Sequence, residues 1–144
     1  MDVLDSLVPG LAGQIRGNLT KKRYTGAAVF VDNFSGLSYV HLLLGKTADD
    51  LIAACQSYLL FCKKHAVVCE HFHADNGIFE ARKFRESIEA TGHSITYCGV
   101  NAHHQNGHAE KRIRDLQDQA RSIMLHAQRC WPSAVSTHLW PYAL

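Results

Sequence analysis

This chain of 144 residues lacks any large excess of charge of one sign. Fifteen Lys and Arg stand against thirteen Asp and Glu, a formal net charge of +2. That balance permits a nucleic-acid partner without arguing for one, so any such argument must come from local clustering. Long apolar runs are missing too. None approaches the ~20 residues that a membrane-spanning helix needs. The opening Met1-Asp2-Val3-Leu4-Asp5 is acidic and too short to insert as a secretory leader. The five cysteines (Cys55, Cys62, Cys69, Cys98 and Cys130) are odd in number and contain no close pair. They do not read as a disulfide framework but as buried, reduced thiols of an intracellular protein. Repeats, low-complexity stretches and linkers are also lacking. What remains is 47% hydrophobic and 19% charged, the make-up of one ordinary globular domain.

The order of elements follows from periodicity and turn chemistry. Val3 to Leu7 reads as a short strand ended by Val8-Pro9-Gly10, and Leu11 to Thr20 as a loop or irregular insertion. Arg23 to Asp32 and Leu37 to Leu44 read as an antiparallel hairpin around Asn33-Phe34-Ser35-Gly36. Thr47 is placed as the N-cap of a helix, with Asp49 and Asp50 at the positive end of its dipole. Leu51, Cys55, Tyr58, Leu59 and Cys62 form its apolar stripe. Val67 to Ala74 is expected as a central strand, Ala81 to Ala90 as a helix and Ser94 to Cys98 as a short strand. A long helix follows from Asn106 to about Arg129. This is the pattern of a mixed-sheet α/β domain.

Three carboxylates stand in three such settings: Asp5 in the first strand, Asp75 at a strand end, Glu110 at a helix start. Between Asp75 and Glu110 lie 34 residues. Two aspartates and a glutamate on rigid elements suit two divalent ions, which bind hard oxygen donors and stabilise the attacking and leaving oxygens of phosphoryl transfer. The bland readings are a surface acid for Asp5, ordinary Asp-Asn-Gly turn chemistry for Asp75, and a helix-dipole acid for Glu110.

These residues carry a resemblance. Tyr24 to Ser35, Asp75-Asn76-Gly77 and Gln105-Asn106-Gly107-His108-Ala109-Glu110-Lys111 resemble the catalytic core of a retroviral-type integrase, most closely that of a copia-type retrotransposon. The likeness runs from about residue 2 to residue 130. It implies a ribonuclease-H-like fold with a mixed five-stranded sheet flanked by helices. It also implies a polynucleotidyl transferase that trims DNA ends and joins them to target DNA with two Mg2+ or Mn2+ ions held by Asp5, Asp75 and Glu110. Asp2 competes for the first position. Asp5 is preferred because the family's first aspartate lies inside the strand, shortly before a Pro-Gly turn. The family's Pro-Tyr-x-Pro loop is replaced here by Val100, Asn101, Ala102 and His103.

Helical geometry adds a face. At 100° per residue, Glu110, Arg114, Gln117 and Arg121 fall within about 60° of one another. Ile113, Leu116, Ala120, Ile123, Met124 and Ala127 form a separate stripe fit for the core. The polar row can hold a metal and then meet phosphates, and a family basic residue four past the glutamate, here Arg114, meets DNA. Asn106 and Lys111 are placed at the same DNA surface, although Lys111 and Arg112 point further round, where solvated charge is the simpler reading. His71, His73 and Asp75 share one strand face, with His103 and His104 as outside candidates for a zinc site. No zinc-type ligand pair accompanies them. His73 and Asn76 are instead expected to support the metal-holding carboxylate.

The resemblance further implies DNA as partner, a homodimer or larger assembly, and a nuclear site of action. Trp131 and Trp140 give weak sequence support for association. The chain reads as a single core domain over residues 1–144, a fragment without the family's zinc-binding N-terminal module or basic C-terminal domain. A nuclease that cuts without joining, and a non-catalytic DNA-binding remnant, remain as alternatives.

Overall fold

A computed structural model describes residues 1–13, 20–99 and 106–144. The hairpin expected from the sequence is its centre. Strand β2 (Arg23–Val31) pairs antiparallel with β3 (Ser38–Leu43), from Gly26 opposite Leu43 to Val31 opposite Ser38. Its turn is held by Asp32, whose carboxylate accepts from the Ser35 amide at 2.8 Å and from the Ser35 hydroxyl. Those two bonds, the hydroxyl's first, hold the Asp32 carboxyl below the usual carboxylate range. Gly36 takes the left-handed φ of 70° that the turn requires.

Strand β1 (Asp2–Leu11) lies antiparallel on the other side of β2. It does not stop at Pro9-Gly10 as expected. The register breaks between Asp5 and Gly10 and then resumes, with Gly10 opposite Tyr24. Such an irregularity tolerates a proline that cannot donate to the ladder. The C-terminal 3₁₀ segment Thr137–Tyr142 lies against this stretch. The Trp140 indole donates to the Val8 carbonyl at 2.8 Å, and His138 donates to Pro9 at 2.7 Å. Trp140 is thus committed within the chain, while Trp131 is exposed.

Helix α1 (Ala48–Lys64) begins with a reciprocal capping box between Thr47 and Asp50, as the sequence indicates. Its Leu51, Ala54 and Cys55 pack with Ala28, Phe30 and Leu43 from one face of the β1–β2–β3 sheet and with Phe72, Phe84 and Ile88. Phe30 stacks on Tyr58 with ring centroids 4.6 Å apart. Helix α3 (Gly107–Cys130) covers the other face, where Leu116 packs with Leu4 and Val29. β2 is therefore buried on both sides, which explains its unbroken apolar run. The expected α3 stripe is only partly used. Leu116 and Ala120 are buried, whereas Ile123 is 53% exposed because the far half of the helix runs past the sheet.

The remaining strands are short. β4 (His71–Ala74) pairs parallel with β5 (Ser94–Tyr97), and helix α2 (Arg82–Ala90) connects them. The expected strand from Val67 is cut to four residues because β5 reaches no further back than His71 and, among the described residues, no other strand pairs with 67–70. The expected single five-stranded sheet is likewise corrected. The strands form an antiparallel set β1-β2-β3 and a parallel pair β4-β5. A hydrogen bond from the Met1 amine to the His73 carbonyl links the two. Of the five cysteines, Cys55, Cys62 and Cys98 are buried as expected, Cys69 is half-buried and Cys130 is exposed.

Candidate metal centre

The two-residue period of β1 decides which acid can face which partner. Met1 and Val3 pack on the α1 side, with Phe30 and Phe72, while Leu4 packs on the α3 side, with Val29 and Leu116. Asp2 shares the Leu4 face and looks toward α3. Asp5 shares the Val3 face and looks away from it. There Asp5 is exposed and its carboxylate meets the Lys46 ammonium at 2.6 Å. Asp5, expected as the first metal ligand, thus lies on the face of the strand away from α3, and Asp2, the rival on the same strand, lies on the face toward it.

Asp2 also carries the electrostatic mark of an acid cluster. Burial raises its carboxyl above the ordinary range, and the negative charges of Asp75 and Glu110 push the same way. A hydrogen bond at 2.7 Å from the Val3 amide and the nearby terminal ammonium oppose the rise in part. Three elements supply these acids: the start of β1, the end of β4 and the first turn of α3. Among the described residues, no group of three or more His, Cys, Asp or Glu is close enough to hold a metal ion. Asp2 thus feels the charges of Asp75 and Glu110 without the three acids standing at ligand distance. Hard oxygen donors that repel each other in a half-buried setting are the donor set a divalent cation suits.

The neighbours of the acids are tied to structure. The Asn76 amide donates to the Asp75 carboxylate at 2.9 Å, and the Asn76 side chain donates to the Cys98 carbonyl. Asn76 therefore both orients Asp75 and locks the open end of β4 to β5. His73 lies within hydrogen-bond distance of the Thr96 hydroxyl, at 2.9 Å, and of the Cys98 thiol, at 3.5 Å. Burial and the nearby terminal ammonium hold its imidazole below the usual range. His71 meets Ser94 and Thr96 in the same row. These contacts make the histidine row a polar cover on the β4–β5 face. His103 and His104 lie outside the described residues, as do Val100, Asn101 and Ala102.

The expected DNA face divides. Arg114, Gln117, Arg121 and Lys111 are exposed along α3. Among the described residues, the ion pairs are Lys46–Asp5, Arg82–Glu86 and Lys83–Asp49, and none joins Glu110 to Arg114. Arg112 reaches back to the Ser38 hydroxyl at 2.8 Å, beside an open cleft of about 510 Å³ that also takes in His108 and Lys111. Asn106 is corrected. It is 5% exposed and donates to the Met1 carbonyl at 3.4 Å, tying the start of α3 to the start of β1. Its sequence signal was its place one residue before the helix, where a side chain turns inward as readily as out.

No family model matches the chain, and a search of curated proteins finds no match. Solved structures do match. The catalytic core domain of BIV integrase is 25% identical over 67% of this chain and 61% of that one, with a TM-score of 0.52. The HTLV-2 integrase catalytic core in complex with magnesium, in its dimeric form, is 18% identical with a TM-score of 0.56, covering 96% of this chain and 82% of that one. A simian T-cell lymphotropic virus intasome, in complex with a PP2A regulatory subunit, gives a TM-score of 0.60 at 15% identity over 99% of this chain. The chain spans 46% of that intasome chain's length. These likenesses, with strands and helices in this order, give the chain the mixed α/β, ribonuclease-H-like fold of retroviral integrase catalytic cores.

Proposed function

We propose that this chain is the catalytic core of a copia-type integrase, a metal-dependent polynucleotidyl transferase that trims DNA ends and joins them to target DNA, and that Asp2, Asp75 and Glu110 are its metal-holding acids. The observation that carries this reading is the joint effect of Asp75 and Glu110 on Asp2 from three separate elements. The solved structures support it, since one is an integrase core in complex with magnesium.

Each residue has a task in this reading. Asp2 and Asp75 offer carboxylates from adjoining strand ends, and Asn76 fixes the second of them. Glu110 closes the set from the first turn of α3. Divalent ions, when bound, stabilise the attacking and leaving oxygens of the displaced phosphodiester. Arg114, one turn beyond Glu110, holds a DNA phosphate beside the acids, and Gln117 and Arg121 continue the track. DNA is the partner, and assembly as a dimer or more belongs to the same proposal, as the dimeric and trimeric HTLV-2 forms suggest.

Titration calorimetry with Mn2+ tests the acid set. Asp2→Asn and Glu110→Gln should each weaken binding at least tenfold, with Asp5→Asn unchanged. Loss of binding in Asp5→Asn but not in Asp2→Asn would overturn the assignment. A strand-transfer assay on a pre-cut DNA end then separates joining from cutting. Arg114→Ala should lower the salt dependence of DNA binding by about one unit of slope without changing Mn2+ affinity.

A further inference from the structure

Beyond Ala120, every residue of α3 is exposed or half-buried, because this half of the helix runs past the sheet. At 100° per residue, Ile123, His126 and Cys130 fall within about 60° of one another on this free half. All three are exposed, Ile123 at 53%. Their steps of three and four residues are those of a seam that packs against another helix.

Two of the three are metal donors already side by side. The His126 Nε2 and the Cys130 Sγ stand 3.8 Å apart. A tetrahedral zinc ion lies about 2.3 Å from a thiolate sulfur and about 2.0–2.1 Å from an imidazole nitrogen, which sets such donors about 3.6 Å apart. The pair is therefore spaced for one shared ion with little movement. Nitrogen with sulfur suits zinc rather than the hard-oxygen-seeking magnesium. Among the described residues, no group of three or more His, Cys, Asp or Glu is close enough to hold a metal, so one chain supplies two of the four ligands that a structural zinc takes. A twofold axis through the ion turns two donors into four and brings the two Ile123 seams together.

We propose that His126 and Cys130 are half of a zinc site that the same pair from a second copy of this chain completes. On binding, each thiol releases its proton to solvent, and the two thiolates cancel the charge of the ion while the imidazoles stay neutral. A closed set of two sulfurs and two nitrogens makes this ion a structural clamp between helices. It stands apart from the acid set, since the sixteen-residue step from Glu110 to His126 spans about 24 Å of helix.

Cobalt titration of the reduced protein tests this, because Co2+ replaces Zn2+ and absorbs when a thiolate binds it. The thiolate-to-cobalt absorption should saturate at one ion per two chains. In sedimentation, Zn2+ should raise the mass of the reduced protein, and EDTA should reverse the change. Cys130→Ser should lose the absorption and His126→Ala should weaken it, and neither variant should associate on adding Zn2+. Both side chains are exposed, so the fold survives either change. Glu110→Gln should behave as the parent, which separates this site from the acid set. Saturation at one ion per chain, or an association state that Zn2+ leaves unchanged, would overturn the proposal. So would absorption that survives Cys130→Ser, which would assign the ion to another thiol, such as Cys98 beside His73.

Discussion

The two half-sheets were built by different means. The antiparallel set β1-β2-β3 is stitched locally. β2 and β3 are joined by one short turn, and Ala27 to Phe30 are buried between two helical layers. The parallel pair β4-β5 has four residues per strand and depends on α2, a chain crossover, to bring its strands together. The candidate site lies at their junction, with Asp2 on the first half and Asp75 on the second. Stability therefore belongs mainly to one half, while the site requires both to hold still.

The strongest way to break this contrast is to hollow out the junction from the stable side. Phe30→Ala removes a ring that is 2% exposed and contacts Tyr58 and Phe72. The expected cost is about 3–5 kcal/mol, the usual range for emptying a buried aromatic site. Urea unfolding followed by fluorescence and circular dichroism would measure it. A cost under about 1 kcal/mol would mean that β2 is not the centre of the core.

Hydrogen exchange sharpens the contrast without a mutation. Amides of Ala27–Phe30 should open only with global unfolding, whereas those of β4 and β5 should open locally. A difference of about 2 kcal/mol in opening free energy, roughly thirtyfold in rate, is expected. Equal protection across the five strands would show a sheet already continuous in solution.

A smaller effect comes from the acid at the junction. The Asp2 carboxyl is raised above its ordinary value by burial and by Asp75 and Glu110. A carboxyl raised on folding adds stability when protonated. That contribution is complete below the unfolded value and is lost as pH climbs through the folded value. Asp2→Asn cannot lose it. The metal-free variant should therefore melt higher than the parent at pH 7, and the gap should close as pH falls below the ordinary carboxylate range. Calorimetry at several pH values reads this directly. A variant less stable than the parent at pH 7 would mean that Asp2 serves the fold rather than a metal.

How far the sequence disclosed this arrangement follows the same division. The β2–β3 hairpin and the Thr47–Asp50 capping box were legible because their signals are local: alternation, a turn around Gly36, and a cap three residues from its partner. Segment 67–70 was read as strand from its apolar residues, but a strand needs a neighbour, and that information is not local. Asp5 was preferred as the first acid because Pro9-Gly10 was read as the end of a strand that in fact runs on to Leu11. Face alternation held the missing signal. Leu4 must meet a core, so Asp2 shares its side and Asp5 does not.

The smallest prediction isolates that lesson. Asp5 and Asp2 lie three residues apart on one strand, and three residues reverse the face. Asp5 is 60% exposed and its partner Lys46 is 40% exposed, so water screens their 2.6 Å contact. Exposed pairs of this kind contribute about 0–1 kcal/mol, and less at high salt. Asp5→Asn should therefore shift the unfolding midpoint barely beyond error, and 0.5 M NaCl should remove even that. Lys46→Met should give the same small change, and the double variant should add almost nothing, since the second substitution finds the pair already broken. A large loss of stability in Asp5→Asn, or one that persists at high salt, would place Asp5 inside the packed structure and return it to contention beside Asp75.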